Sequence, residues 1–382
     1  MGENRKIILP RLVTSKLLHR QQLHGHGSVS EVSSIVDENL GKRPLNIHKD
    51  TFVYRVFAST WNVGGIAPSD DLDLEDWLGT RANTCDIYVL GFQEIVPLNA
   101  RNVLGPTKSC ISAKWNSLIE EALNKKERKE GAELNQESTY SSAMEGSMQG
   151  EGFRCIRSKQ MVGLFTSIWV RSNLRPFIHH LDASCIGSGI MGCLGNKGSV
   201  SIRFVLHETS FCFVCCHLAS GGKEGDVLLR NLDVADILAR TWFPGRATQD
   251  LPEKILDHEI SLEGAETRSL VKAKNWAILL ENDQLLSEFS RGRHFEGWQE
   301  GLITFSPTYK YHPNSDQYYR CFDGARGQKK RAPAWCDRIL WRGKGLKQVQ
   351  YETCNYRLSD HRPVRAVFHA ECDVSLSEGV QK

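Results

Sequence analysis

The sequence predicts an α/β fold on three observations. Short runs of β-branched and aromatic residues recur, two segments show helical periodicity, and the first strand-like runs end in polar residues, where α/β sheets usually display their chemistry. Phe52-Val-Tyr-Arg-Val-Phe-Ala-Ser-Thr-Trp61 reads as a buried strand, and Asp86-Ile-Tyr-Val-Leu-Gly-Phe92 as another. Strand-like runs resume at Met161–Val170, Gly198–Val205 and Phe211–Leu218, and the last are Arg338–Trp341 and Val364–Phe368. One helix is expected over Asp226–Arg240, with Leu228, Leu232, Ala235 and Leu238 on its apolar face. A second is expected over Glu266–Asn282.

The 382 residues could form one large domain or two ordinary ones, and no internal repeat is visible. One domain over 51–371 is the simplest division. Residues 1–50 read as an irregular basic tail in which Pro10 interrupts any helix through the first apolar cluster. Arg11–Arg20 reads either as a short amphipathic helix touching an anionic membrane surface or as a loosely docked tail. From Asn124 to Gly152 the composition shifts to Glu, Lys, Ser, Gln and Gly, which reads as a disordered insertion, and 372–382 as a disordered tail.

Hydrophobic residues at 40% and nine tryptophans mark a globular chain. The net charge of +3 is too balanced for a nucleic-acid coat, so anion binding must come from local clusters. No run approaches the roughly 18 apolar residues of a membrane span. Lys6 stands where a myristoylation signal wants Ser or Thr, and no secretory core follows, so a soluble cytoplasmic protein is expected. The twelve cysteines are scattered, as in a reducing compartment. Cys212 and Cys215 have metal-site spacing, but strand periodicity sends them to opposite faces, so they read as buried thiols.

Five segments carry the chemistry: Trp61-Asn-Val-Gly-Gly65; Gly91-Phe-Gln-Glu-Ile95; Leu194-Gly-Asn-Lys-Gly-Ser-Val200; His217-Leu218; and Lys329-Lys-Arg-Ala-Pro-Ala-Trp-Cys-Asp-Arg338 with Ser359-Asp-His-Arg-Pro363. Each alone is weak. Together, an Asn, a Glu, two His and an Asp at strand ends suit hydrolysis of a phosphate monoester with one hard cation. Magnesium prefers oxygen ligands, keeps several waters and needs few carboxylates.

These segments resemble those of the inositol polyphosphate 5-phosphatases, within the exonuclease–endonuclease–phosphatase superfamily. The likeness runs from about Phe52 to Phe368, is closest to the plant enzymes, and is most specific at Lys329–Arg338. It implies two mixed sheets packed face to face, helices outside, and the site at one end of the sheets. It implies Mg²⁺ held by Glu94 with Asn62 beside it, and His361 on the scissile 5-phosphate, oriented by Asp360. It places His217 on the other side of that phosphate, and Asn196, Lys197, Tyr309, Lys329, Arg331 and Arg338 on the rest of the substrate. Arg and Lys are the usual clamps for a multiply anionic ring. The implied partners are inositol polyphosphates or phosphoinositide head groups, with attachment at a membrane periphery and no nucleic acid. A nuclease or sphingomyelinase of the superfamily is the rival enzyme, against which the Lys329–Arg338 pattern speaks.

One departure matters. The family places a strand ending in Gly-Asp-Leu-Asn-Tyr-Arg between the His217 segment and the Pro-Ala-Trp segment. Its Asp would serve the attacking water and its Asn the transferring phosphoryl group. Here Lys254-Ile-Leu-Asp-His258 runs through Glu259 into Ile260-Ser-Leu262, as after an internal deletion, and Asp257 is the only nearby carboxylate. Impaired turnover is expected, or a member that binds head groups without hydrolysing them. Loss of an internal strand also threatens folding, since each buried aliphatic contributes about 1.5–3 kcal/mol.

Overall fold

The structure, a computed structural model, describes residues 49–81, 84–99, 102, 109–137, 152–189, 197–221, 224–243, 253–257, 260–264, 280, 283–292, 294–319 and 333–375. All of these lie in one compact unit, Ile47–Lys382. The segment 11–20 and most of the helix expected at 266–282 lie outside the described residues.

Twelve strands and four α-helices are described. The strands are β1 (Lys49–Asn62), β2 (Ile87–Gln93), β3 (Phe153–Met161), β4 (Leu164–Arg171), β5 (Ile178–Gly187), β6 (Gly198–Leu206), β7 (Thr209–His217), β8 (Ile260–Gly264), β9 (Gln299–Glu300), β10 (Leu340–Arg342), β11 (Leu346–Thr353) and β12 (Val364–Ser375). The helices are α1 (Glu75–Leu78), α2 (Ser109–Glu137), α3 (Glu224–Arg240) and α4 (Gln284–Arg291). One sheet runs β11-β12-β1-β2-β4-β3 and the other β5-β6-β7-β8-β10-β9.

The core follows from the alternation of strand side chains. Val56, Ala58, Val89 and Ile168 of the first sheet meet Ile202, Phe204, Phe211 and Phe213 of the second. Alternate residues of β1 and β2 (Phe57, Trp61, Tyr88, Phe92) point outward and are covered by Trp77 of α1 and Trp115 of α2. On the far side, Cys212, Val214 and Cys216 pack against Val234 and Ile237 of α3. The expected two-sheet sandwich with helices outside is therefore the observed fold. Cys212 and Cys215 fall in different clusters, one under α3 and one between the sheets, which excludes a shared ion.

Several boundaries differ from the sequence reading. The break expected at Asn124 is absent, because α2 continues to Glu137. Glu, Lys and Gln are poor in core-forming surface but among the strongest helix formers. The first turns of α2 are anchored by Trp115, Leu118, Ile119, Ala122 and Leu123, spaced for one buried face. The tail expected from residue 372 is strand to Ser375, with Cys372 buried, because β12 pairs with β1 from Thr60↔Val364 to Lys49↔Ser375. The strand expected at 161–170 begins later, at Leu164 as β4, because Met161 ends β3 and the chain turns at Val162 and Gly163. On α3 the buried face is Arg230, Val234 and Ile237, while Leu228 and Leu232 are 60% and 64% exposed.

The position beside β7 is filled by β8. β8 pairs parallel to β7, from Phe211↔Ile260 to Cys215↔Gly264, and antiparallel to β10. The second sheet is continuous from β7 through β8 to β10.

Candidate active site

Three strand ends converge. β1 and β2 are parallel neighbours with Asn62 opposite Gln93, so Asn62 and Glu94 emerge side by side. β7 of the other sheet ends at His217, whose Nε2 lies 3.6 Å from Glu94 Oε1. Asn62 is buried and held in a fixed sense: its Oδ1 accepts from Gly64 N at 3.0 Å, and its Nδ2 donates to Glu94 Oε1 at 3.3 Å. Glu94 has a left-handed backbone (φ 55°), an uncommon conformation that turns its carboxylate back over the strand ends. Its backbone is tied down by Gly65 N donating to Glu94 O at 2.7 Å. Gly65 itself has φ 77°, and a Cβ there would lie 2.9 Å from Pro97 Cα, so this turn requires glycine.

The loop before β12 supplies His361. Its Nδ1 is 2.9 Å from Asp337 Oδ2, and since a carboxylate only accepts, the ring donates. Asp337 is fixed in turn by the Thr308 hydroxyl at 2.7 Å. Tyr309 packs its ring on His361 at a centroid distance of 4.4 Å. Ser359 Oγ donates to Asn62 O at 2.6 Å, joining the two halves of the site.

The electrostatics sort the groups by role. Burial pushes the His217 imidazole well below its ordinary value, with Lys197 and His361 adding to the effect, so it is neutral near pH 7. Burial works to raise the Asp360 carboxyl, but His361 and Lys310 outweigh it and leave the group below its usual range. Lys310 Nζ lies 2.8 Å from Asp360 Oδ2.

Asn62, Glu94, His217, His361, Asp360, Tyr309 and Lys197 are all among the described residues; Asn196, Lys329 and Arg331 lie outside them. Two assignments are corrected. The partner that orients His361 is Asp337, not Asp360, which accepts from Lys310 instead. Arg338 is fully buried between Glu300 and Asp283, at 2.5 and 2.9 Å, and does not face a substrate. Asp337 lies inside the Lys329–Arg338 pattern 24 residues from His361, whereas sequence adjacency points to Asp360. Thr308 and Lys310 flank Tyr309 and carried no signal of their own.

Residues 59–367 match the sequence profile of the Endonuclease/Exonuclease/phosphatase family 2. The type IV inositol polyphosphate 5-phosphatase 9 of Arabidopsis thaliana is 52% identical over 389 residues, covering 96% of this chain and 92% of that protein. The type I inositol polyphosphate 5-phosphatase 8 of the same plant is 45% identical, over 91% of this chain and 77% of that protein. The chain belongs to the inositol polyphosphate 5-phosphatase family. A solved structure, the 5-phosphatase domain of SPsynaptojanin with inositol (1,4)-bisphosphate and calcium ion, superposes with a TM-score of 0.68 at 28% identity. That match covers 86% of this chain and 87% of that one. Cimex nitrophorin, at 17% identity and a TM-score of 0.56, shares the fold alone. For this 5-phosphatase family member the match to 5-phosphatase 9 spans more positions (389) than the chain has residues (382), so the relative carries residues that this chain lacks.

The donor set fits a hard divalent cation. Glu94 offers carboxylate oxygen from a half-buried position, and no group of three or more His, Cys, Asp or Glu suited to a metal is found among the described residues. Such a cation would rest on Glu94, waters and substrate oxygens, as magnesium does.

Proposed function

We propose that this chain recognises the 5-phosphate of inositol polyphosphates and of phosphoinositides such as phosphatidylinositol 4,5-bisphosphate, in a Mg²⁺-dependent phosphatase site whose turnover is impaired. The observation that carries the reading is the meeting of Asn62, Glu94 and His217 with an Asp337-held His361 at one end of the sandwich. Glu94 would hold the cation, and Asn62 fixes the carboxylate that does so. When bound, Mg²⁺ polarises the phosphoryl group and offsets charge on the leaving oxygen. His361, held by Asp337 at Nδ1, would as an imidazolium donate from Nε2 to the phosphate in the transition state. Neutral His217 would contact the phosphate from the other sheet. Lys197, with Asn196, Lys329 and Arg331, would meet the rest of the anionic ring. A cytoplasmic location with peripheral attachment to membranes suits these substrates.

Impairment is inferred from the sequence of the strand beside β7. In place of a Gly-Asp-Leu-Asn-Tyr-Arg end, β8 closes on Leu262-Glu263-Gly264. A lost general base removes about 10²–10⁴ in rate, and a lost transition-state donor about 10²–10³. The same strand supports a second reading, a binder of head groups without hydrolysis, since the sheet that presents His217 is intact.

The test is phosphate release from phosphatidylinositol 4,5-bisphosphate with Mg²⁺, for this chain and for one carrying a Gly-Asp-Leu-Asn-Tyr-Arg strand between Glu259 and Ile260. Release from the restored chain alone supports impairment. Comparable release from both overturns it and directs mutation to Asp257. Head-group binding by the unrestored chain, abolished by Glu94→Gln in Mg²⁺, separates the binder from a chain with no site at all.

A further inference from the structure

We propose that the flank of the sandwich edged by β3 docks on an anionic phospholipid bilayer through Arg154, Arg157 and Lys159. β3 is the last strand of its sheet, so among the described residues no strand lies beside its outer edge. In a regular strand Arg154 would face away from Arg157, because successive side chains alternate. A register shift between Cys155 and Arg157 inserts one residue and cancels that alternation. Arg154 pairs with Val170, Arg157 with Ile168 and Lys159 with Thr166. Those three partners are alternate residues of β4, so the bulge gathers the cations on one face, roughly 7 Å apart.

All three side chains are exposed, and none has an ion pair or side-chain hydrogen bond among the described residues. β5, the neighbouring edge strand of the other sheet, carries one acid, Asp182, and Arg203 engages it at 3.9 Å. A charged residue on an edge strand also blocks pairing with another chain. That purpose is served by a single lysine and does not require charges of one sign on one face. An aligned row of one sign, with the nearby Glu120 of α2 acting on Cys155 rather than ion-paired to the row, suits an extended anionic surface.

The row also points the right way. β3 ends at Met161, paired with Leu164, and the Gly163 carbonyl in the turn between them accepts from Ile95 N at 3.0 Å, next to Glu94. Docking by this flank holds the catalytic end at the head-group layer. The inference rests on lipid-borne phosphate being among the substrates, but its test uses no inositol lipid.

The experiment is co-sedimentation with phosphatidylcholine vesicles, with and without phosphatidylserine, across a salt series. Binding is expected only with phosphatidylserine and should fade as salt rises. A variant carrying R154Q, R157Q and K159Q should bind about tenfold or more weakly, given the attraction of each basic residue near such a surface. A variant carrying R154K, R157K and K159R should bind as the parent does, and both should melt as the parent does. Absence of selective binding, a glutamine variant that binds as the parent, or loss in the charge-conserving variant each overturns the proposal. Cleavage of a soluble inositol phosphate is unaffected by any of these results, so the reading of the site stands or falls separately.

Discussion

At the scale of single residues, the site depends on who holds whom. His361 is buried, and its Nδ1 donates to Asp337 at 2.9 Å, so Asp337→Asn puts an amide where an acceptor-only carboxylate was. In the strand-restored chain this change should lower phosphate release by roughly 10²–10⁴, the range for general acid–base groups, with the melting temperature preserved. Asp360→Asn should cost less, because Asp360 is bonded to Lys310 and not to the His361 ring. Gly91 illustrates packing at the same scale. A Cβ at Gly91 would lie 3.0 Å from Cys215 Sγ and 3.2 Å from Cys215 Cβ, where the two sheets approach beneath Glu94 and His217. The Cys215 thiol, pushed up to about 11 by burial, is inert and accepts from Gln93 Nε2 at 3.3 Å. Gly91→Ala should destabilise the fold by about 1–3 kcal/mol in urea unfolding, as overpacking does. Adding Cys215→Ala should recover part of that loss, since removing Sγ frees space beside a cavity of about 40 Å³.

At the scale of elements, two features keep the second sheet whole. β8 lies between β7 and β10 and bonds to both, so a proline within it removes a ladder hydrogen bond in a central strand. Leu262→Pro should therefore lower the urea midpoint sharply, whereas a proline in an edge strand would not. The second feature is Arg338, fully buried and bonded to Glu300 of β9 and to Asp283, which also caps α4 by accepting from Leu286 N at 3.0 Å. Truncating it strands two buried carboxylates, so Arg338→Ala should cost about 3–5 kcal/mol in a thermal or urea melt. Such a loss in stability, with head-group affinity unchanged in the fraction that folds, separates a structural arginine from a substrate-binding one.

At the scale of the whole molecule, the sandwich was legible where local pattern and burial coincide. Val56–Trp61 of the first run and all of Phe211–Leu218 are buried on both faces, and continuous apolar stretches announce such strands. β3 was not legible because its exposed edge carries Arg, Ser, Lys and Gln, which read as surface until β4 is there to pair with it. α3 misled for a different reason: Leu228, Leu229 and Leu232 lie on the solvent side, and the core is reached through Val234 and Ile237. In the site, Asn62, Glu94, His217 and His361 were visible as polar residues ending apolar runs. Asp337 was not assigned, because its pairing with His361 is made in space across 24 residues of chain.

The β1–β12 ladder has one further consequence. Lys49 lies opposite Ser375, and the ladder runs from there to Thr60↔Val364, next to Asn62 and His361. At about 3.4 Å per residue, the Lys49–Ser375 pair sits roughly 37 Å of strand away from the catalytic end. The sheet thus begins and ends at one doorway, on the pole remote from the chemistry. A circular permutant that joins residue 375 to residue 49 through a short linker, with new ends opened in a surface turn, should keep the site's geometry. Passengers fused near either of those residues would ride at that pole and leave the proposed site clear.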